Sequence, residues 1–401
     1  MRRALHHIKA KNFLSLKDVS VELHPLNVLV GPNGSGKTNF LKIFDFIGKI
    51  AERDLLPAIE DMGGPTGISF LNSQGRNVEL SFSGTITNLS HAKALDEYTL
   101  SIDLREVFLR SIEGRRSKKS DLVFRKESFT FKRVGGPGRR ITIKGDELEI
   151  FDRSTKKKLG DEDVSGNTSG LALLRRLGRK YDADQVDEIA ELFLSLRLVD
   201  IDVQGLRRQA RLRHGRYLAA DGSNLAEFLL RMREEENDAF YDIESDMRSI
   251  LPTFEHFVIE EFGGGDTYVR LGIKESVFDE VIPLDRASFG TIRAIALFAM
   301  LRDPDPPKLT CIEEIDHGFH PQALDRLIER LREASQRTQI IVATHSPALV
   351  NRVEAKELLL FNRSEETGAT NVVRPDTGFV REAREKYGYE LGELWFAGLL
   401  E

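Results

Sequence analysis

Eight residues near the start of the chain, Gly31-Pro32-Asn33-Gly34-Ser35-Gly36-Lys37-Thr38, have the types and spacing of a phosphate-binding loop: Gly, four residues, Gly, Lys and Thr. Glycines let the backbone reach positive φ and come close to a phosphate chain. Successive N–H groups then converge as an anion nest at the start of the following helix. In that setting Lys37 brings a point charge to the β- and γ-phosphates and the Thr38 hydroxyl ligates Mg²⁺. The flanks supply the context the motif requires. Leu26-Asn27-Val28-Leu29-Val30 reads as a short buried strand, and 39–50 has helical apolar spacing through Phe40, Leu41, Phe44, Phe46 and Ile47. A chance glycine-rich turn would lack both, so a nucleotide site is expected here.

Three other stretches carry candidate chemistry. Leu309-Thr310-Cys311-Ile312-Glu313-Glu314 is an apolar strand ending in two carboxylates, at the edge where open α/β sheets bind ligands. Glu313 is placed to hold Mg²⁺ directly or through water, and Glu314 to orient and polarise an attacking water. The bland alternative is a strand ending at a solvated acidic turn. Ile340-Ile341-Val342-Ala343-Thr344-His345-Ser346-Pro347 is another buried strand with a polar tip, and His345 lies 31 residues after Glu314. A histidine there hydrogen-bonds a γ-phosphate or the attacking water, although a lone strand-end histidine is more often simply a satisfied polar residue. Ala287-Ser288-Phe289-Gly290-Thr291-Ile292-Arg293 opens an apolar helix 25 residues before Glu313, counting from Ser288. Ser288 is a natural N-cap and Gly290 permits close backbone approach, so an ordinary helix start also fits.

The elements that must position these residues follow from periodicity. Strands are expected at 5–13, 19–23, 26–30, 78–82 and 98–102, with the loop's helix between, and 63–67 breaks the pattern. Further strands are expected at 122–131 and 141–151, then a polar loop at 160–170. Helices follow at 171–181, 183–196 and 224–250, the last with Asn224 as N-cap and Glu227 at the capping-box position. Strands resume at 255–261, 268–273 and 277–282. The final third alternates: helix 290–301, strand 309–312, helix 321–335, strand 339–342, helix 347–353, strand 357–360. Trp395 and Phe396 read as core or interface packing. The expected fold class is α/β, a nucleotide-binding fold with an antiparallel β subdomain, interrupted by a β-plus-helical insertion. Its expected divisions are 1–104, 105–250 and 251–401.

Composition sets limits. The chain has 401 residues, 30% charged and 40% apolar, ordinary for a soluble globular protein. Apolar runs stay well short of a membrane span, and the basic N-terminus lacks the apolar core of a signal peptide. A single cysteine, Cys311, excludes intramolecular disulfides and Cys-rich metal sites. A cytoplasmic protein without membrane partners is the simplest reading. The net charge of −6 hides an asymmetry: 105–158 carries +9 and 201–218 carries +4, leaving −19 for the rest. A basic middle in an acidic body suits a docking surface for nucleic acid, or an ordinary solvated charged face.

Together the motifs resemble the ABC-type ATPase heads of the RecF, SMC and OLD-like group, and more narrowly the compact bacterial AAA-type ATPases related to RecF and OLD. The opening Ile8-Lys9-Ala10-Lys11-Asn12-Phe13-Leu14-Ser15-Leu16 is similar to the group's first strand, followed by Asn33 to Asn39 of the loop. Asp221-Gly222-Ser223-Asn224-Leu225 matches a recurrent feature before a helix. Glu313-Glu314-Ile315-Asp316-His317-Gly318-Phe319-His320-Pro321 resembles the Walker B and D-loop, and Thr344-His345-Ser346-Pro347 the switch histidine. The resemblance covers about 5–50 and 220–350 and implies a P-loop NTPase of the ABC ATPase type that uses ATP and Mg²⁺. In such heads two copies sandwich two ATP molecules, each loop facing the partner's signature. By that resemblance Lys37, Glu314 and His345 are catalytic, Thr38 and Glu313 hold the metal, and Asn33, Gly34, Ser35, Gly36, Lys37, Thr38 and Asn39 bind nucleotide, with Ser288 and Gly290 acting in trans. Phe289 departs from the Gly or acidic residue usual in the signature, and Glu313 from the commoner Asp. Gln74 is a candidate for the Q-loop glutamine, or a plain loop residue.

No sustained heptads mark a long coiled-coil arm, and the 56 residues after His345 leave no room for the Toprim nuclease of OLD proteins. The expected function is a Mg-dependent ATPase acting as a nucleotide-driven dimerisation switch on nucleic acid in DNA repair or anti-phage defence. The other reading is an ATP-gated scaffold that holds and releases a separately encoded nuclease or toxin effector. A transporter ATPase fits the insertion and the His-Gly-Phe-His run poorly.

Overall fold

The structure, a computed structural model, describes residues 3–71, 77–110, 116–136, 138–152, 157–163, 168–181, 184–207, 210–212, 215–263 and 267–400. The chain divides into two compact units, the first made of Met1–His24, Gly31–Leu196 and Phe361–Val373, the second of Pro25–Val30, Arg197–Leu360 and Arg374–Glu401.

In the first unit, strict alternation builds an antiparallel sheet of eight strands. Its order is Leu16–Glu22, Ala4–Phe13, Asn77–Thr85, Asp96–Arg110, Arg116–Phe131, Arg139–Lys144, Glu147–Asp152, Lys157–Asp163. Val78, Leu80 and Phe82 are buried on one strand and Tyr98, Leu100 and Ile102 on the next, so one face of the pleat is apolar. The register Leu80↔Leu100 and Phe82↔Tyr98 lays those residues side by side. Phe193, from helix Asp184–Leu194, closes the aromatic core edge-on to Phe82 at 5.0 Å, while Phe129 stacks on Tyr98 at 4.8 Å.

A charged cluster sits inside this apolar face. Glu127 and Arg125 are both fully buried, 3.8 Å apart, and both Glu127 oxygens accept from the Gly170 N–H at 2.9 Å, at the start of helix Gly170–Tyr181. Burial pushes the Glu127 carboxyl up to about 7, against the lowering pull of Arg125 and the Gly170 N–H; nearby Asp54 adds to the rise. A carboxyl whose folded pKa is raised contributes stability below its unfolded value, and that contribution is lost as pH rises through about 7. The melting temperature is therefore expected to fall between pH 5.5 and pH 8, and Glu127→Gln to flatten that segment. A profile equally steep in the variant would assign the effect to other groups.

The second unit is built on a parallel sheet in the order Arg197–Val199, Leu309–Ile312, Gln339–Thr344, Leu26–Val30, then Leu358–Leu360 of strand Leu358–Arg363. Strands Leu26–Val30, Leu309–Ile312 and Gln339–Thr344 are buried at every position, as strands covered on both faces must be. A small antiparallel sheet of four strands accompanies it, in the order Ala210–Arg211, Tyr268–Glu275, Phe254–Phe262, with Ile282–Pro283 also paired to Tyr268–Glu275. Helices Asn237–Ile250, Phe289–Arg302 and Pro321–Ala334 meet at Asp246, whose side chain is fully buried. Arg302 and Arg326 reach it at 2.7 and 2.8 Å, and Arg330 at 3.4 Å. Removing one partner of a buried ion cluster costs about 3–5 kcal/mol. Asp246→Ala is expected near the lower end, about 3 kcal/mol, because Arg302 keeps Asp242 and Glu333; urea unfolding measures it, and a loss below about 1 kcal/mol would contradict the assignment.

Several expected elements differ. The single strand at 141–151 is two, Arg139–Lys144 and Glu147–Asp152, because Gly145 takes φ +57° and turns the chain. The polar loop at 160–170 begins inside strand Lys157–Asp163. Helix 224–250 is broken into Leu225–Glu235 and Asn237–Ile250 at Glu236, with φ −132°, where three successive glutamates crowd the negative end of a helix. Asn224 stands at the N-cap position without a capping bond. Its side chain accepts from Ala219 N–H and donates to Tyr217 C=O, and Glu227 accepts from Gly215 N–H. Strand 277–282 shrinks to Ile282–Pro283, since Val277 and Phe278 are 61% and 53% exposed and have no apolar face to join. Strand Thr370–Val373 and helices Thr377–Tyr387 and Leu391–Phe396 were not expected. Phe396 is 82% exposed, outside any core.

Candidate active site

The phosphate-binding loop lies in the first unit and is held from within. Gly36 is the N-cap of the 17-residue helix Lys37–Arg53, with φ +106°. A Cβ there would come within 2.1 Å of Thr370 Oγ1, so only glycine fits both the angle and the space. Thr370 Oγ1 donates to Ser35 C=O at 2.9 Å and bonds Ser15 Oγ at 2.7 Å. Asn39 Nδ2 donates to Ser15 Oγ at 2.8 Å, so its side chain anchors the first β-turn. Lys37 is buried, its ammonium donating to Gly31 C=O at 2.8 Å and Pro32 C=O at 3.1 Å. Asn33, Gly34 and Thr38 are exposed, whereas Ser35 is buried. A helix N-terminus beside the exposed residues Asn33, Gly34 and Thr38, with one buried ammonium, fits a triphosphate and its Mg²⁺. Ser15 and Thr370, 355 residues apart, gave no signal as loop supports in the sequence.

The second unit assembles the carboxylates with the helix start. Strand Leu309–Ile312 runs out at Glu313, half-buried, whose N–H donates to Val199 C=O at 3.3 Å. Glu314 follows with φ +47°, a left-handed backbone that a glutamate rarely adopts. Its side chain is exposed, 3.3 Å from His317 Nδ1. Ile315 N–H donates to Ala343 C=O at 3.2 Å, tying this turn to strand Gln339–Thr344. The Thr344 hydroxyl donates to the Asp316 carboxylate and accepts from Ser346 N–H at 2.9 Å. Thr344 is thereby structural, and His345 is left exposed at the strand end. Below the turn, burial pushes the fully buried Cys311 thiol up, which rules it out as a thiolate.

Helix Phe289–Arg302 begins against the same turn. Ser288 caps it, accepting from Thr291 N–H at 3.1 Å, with its hydroxyl exposed. Gly290 approaches so closely that a Cβ would lie 2.4 Å from Gly318 C=O. The Phe289 ring packs on the His317 imidazole at 4.9 Å. One turn on, Arg293 donates to Glu314 C=O at 2.8 Å and Glu313 C=O at 3.2 Å. Its pKa is lowered by burial, opposed by the charges of Glu314, Asp200 and Asp316. The structure thus gathers Ser288, Gly290, Glu313 and Glu314 around one turn and adds Arg293, Asp316 and His317, which lie within the quoted motifs but were given no role there. A signal for Arg293 existed: it is the one charge in the run from Thr291 to Met300.

The remaining candidates separate. Gln74 lies outside the described residues, as do Arg208 and Arg213, two of the five arginines (Arg207, Arg208, Arg211, Arg213 and Arg216) that make 201–218 basic. Arg207 donates to Ala287 C=O at 3.3 Å, and Arg216 pairs with Asp305 and lies over the Tyr217 ring at 5.2 Å. Among the described residues no cluster of His, Cys, Asp and Glu has metal-site geometry, and no helix is long and apolar enough to cross a membrane.

A family model described as an AAA domain, putative AbiEii toxin of a type IV toxin–antitoxin system, matches residues 26–351. The chain belongs to this family. The match takes in strand Leu26–Val30, the loop, the acidic strand end and His345. Over 43 residues the chain is 44% identical to the OLD nuclease of Thermus scotoductus, a stretch making up 11% of this chain and 8% of that nuclease. Among solved structures, the Smc head bound to the C-terminal winged-helix domain of ScpA is similar at 14% identity and TM-score 0.48, covering 92% of this chain and 97% of that one. The Smc head with an extended coiled coil from Pyrococcus furiosus, bound to the C-terminal domain of ScpA, stands at 13% and 0.48, covering 96% and 99%. These likenesses are loose. The fold class, an α/β P-loop NTPase of the ABC/AAA type with an antiparallel β subdomain, stands on the strand orders, the loop and the family match.

Proposed function

We propose that the chain hydrolyses ATP with Mg²⁺ and that hydrolysis drives a dimerisation switch. Residues 33–39 hold the triphosphate, with Lys37 on its terminal phosphates. Thr38 and Glu313 hold the metal, Glu314 activates the water, and His345 senses the γ-phosphate. Ser288 and Gly290 act on the ATP of a second copy. The observation that supports this most is the Glu313–Glu314 turn built against an exposed Ser288 at a capped helix start. A plain acidic turn would need neither the left-handed Glu314 nor a glycine pressed on Gly318.

Nucleic acid is the proposed target, through the basic stretches of 105–158 and 201–218. Binding would then be strongly salt-dependent, because neutralised phosphates release counterions. The scaffold reading draws on one observation: Arg207 already donates to Ala287 C=O and Arg216 already pairs with Asp305 at the surface of the second unit. Titration of a labelled DNA duplex with and without Mg–ATP, at about 50 and 200 mM salt, separates the two. ATP-dependent binding that weakens at high salt supports the nucleic-acid target. Undetectable or salt-insensitive binding overturns it in favour of a protein effector.

A further inference from the structure

Arg293 is 3% exposed, the one charge in the apolar stretch from Ile292 to Leu301, a costly place for a guanidinium. Buried arginines ordinarily meet carboxylates; this one meets backbone. Besides Glu313 and Glu314 C=O, its Nη1 lies 3.4 Å from Ile201 C=O. The pinned residue, Glu314, has the strained φ of +47°, a conformation that persists only where its surroundings hold it. A second grip comes from the other side. His317 N–H donates to the same Glu314 C=O at 2.9 Å, and the His317 ring carries Phe289, the residue between Ser288 and Gly290. The signature loop and helix therefore touch Glu314 twice, through Arg293 and through Phe289 and His317. This also gives the aromatic residue at 289 a role that glycine could not fill.

We propose that Arg293 is a positioning residue: it sets the aim of Glu314 and makes it follow the position of the Ser288–Gly290 loop of the same chain. The proposal rests on the reading of Glu314 as the base that activates water. Engagement of Ser288 by a phosphate shifts the helix start, and the guanidinium carries that shift to the Glu314 backbone. Each copy's base then reports whether its own signature is occupied.

The test is steady-state and single-turnover ATP hydrolysis by the full chain carrying Arg293→Gln, Arg293→Lys, Glu314→Gln, and Arg293→Gln with Glu314→Gln. A misplacement of about 1 Å costs on the order of a hundredfold in rate. Arg293→Gln is expected to lower kcat by about ten- to a hundredfold with KM within about twofold, and Arg293→Lys, which keeps one donor group on the carbonyls, to recover part of it. The decisive readout is non-additivity: the double variant should be no slower than Glu314→Gln alone. A kcat unchanged by Arg293→Gln, or a double variant slower than Glu314→Gln by the full single-variant factor, overturns the proposal. Where Arg293→Gln does not fold, Arg293→Lys takes its place in the same cycle. A parental chain without ATP hydrolysis overturns the ATPase reading and this proposal together; a parental chain that hydrolyses ATP beside fully active Arg293 variants overturns this proposal alone.

Discussion

Glu314→Gln is expected to bind Mg–ATP as the parent does and to hydrolyse it at least about a hundredfold more slowly, the usual contribution of a positioned general base. The substitution keeps shape and removes only basicity. The contacts that hold residue 314 in place, from Arg293 and from His317 N–H, are to its carbonyl and survive the change. The side chain is 60% exposed, so the amide brings no new burial cost. Nucleotide affinity, melting temperature and hydrolysis rate on one preparation separate a catalytic loss from a folding loss. Hydrolysis at the parental rate would remove Glu314 from the mechanism.

Lys37→Ala is expected to lower affinity for Mg–ATP by about ten- to a hundredfold. A charge-assisted hydrogen bond is worth about 1.5–3 kcal/mol, and the ammonium would make at least one to the terminal phosphates. The lysine also bonds Gly31 and Pro32 C=O within the loop, so its loss loosens the cradle it completes. Calorimetric titration gives the affinity directly. Parental affinity in the variant would mean that the loop binds something other than a triphosphate.

The candidate motifs were more legible in the sequence than the contacts that support them. Loop, acidic strand end and strand-tip histidine each combine residue type with a local element, and local elements follow from periodicity. Strands 26–30 and 309–312 came out at their observed limits because strands buried on both faces are continuous apolar runs. Supports such as Thr370 behind Ser35, or Arg293 under Glu314, depend on pairings across long stretches of chain that no window of sequence contains. The split at Glu236 was missed because helical spacing continues on both sides of it. The short Gly145 turn was missed because Ile141, Ile143, Leu148 and Ile150 are all buried apolar residues, and one glycine between them does not look like a hairpin. Buried Glu127 shows the same blindness: in sequence it is one more charge in a basic stretch, and only the folded sheet places the Gly170 N–H on it.

The solution mass of Glu314→Gln, with and without Mg–ATP, tests the central claim most directly. A variant that binds but does not hydrolyse should accumulate as a dimer when ATP is added and return to the smaller species when it is removed. That result supports the switch, in which Ser288 and Gly290 of one copy act on the nucleotide of the other. A mass unchanged by ATP, in a variant shown to bind it, would contradict the switch.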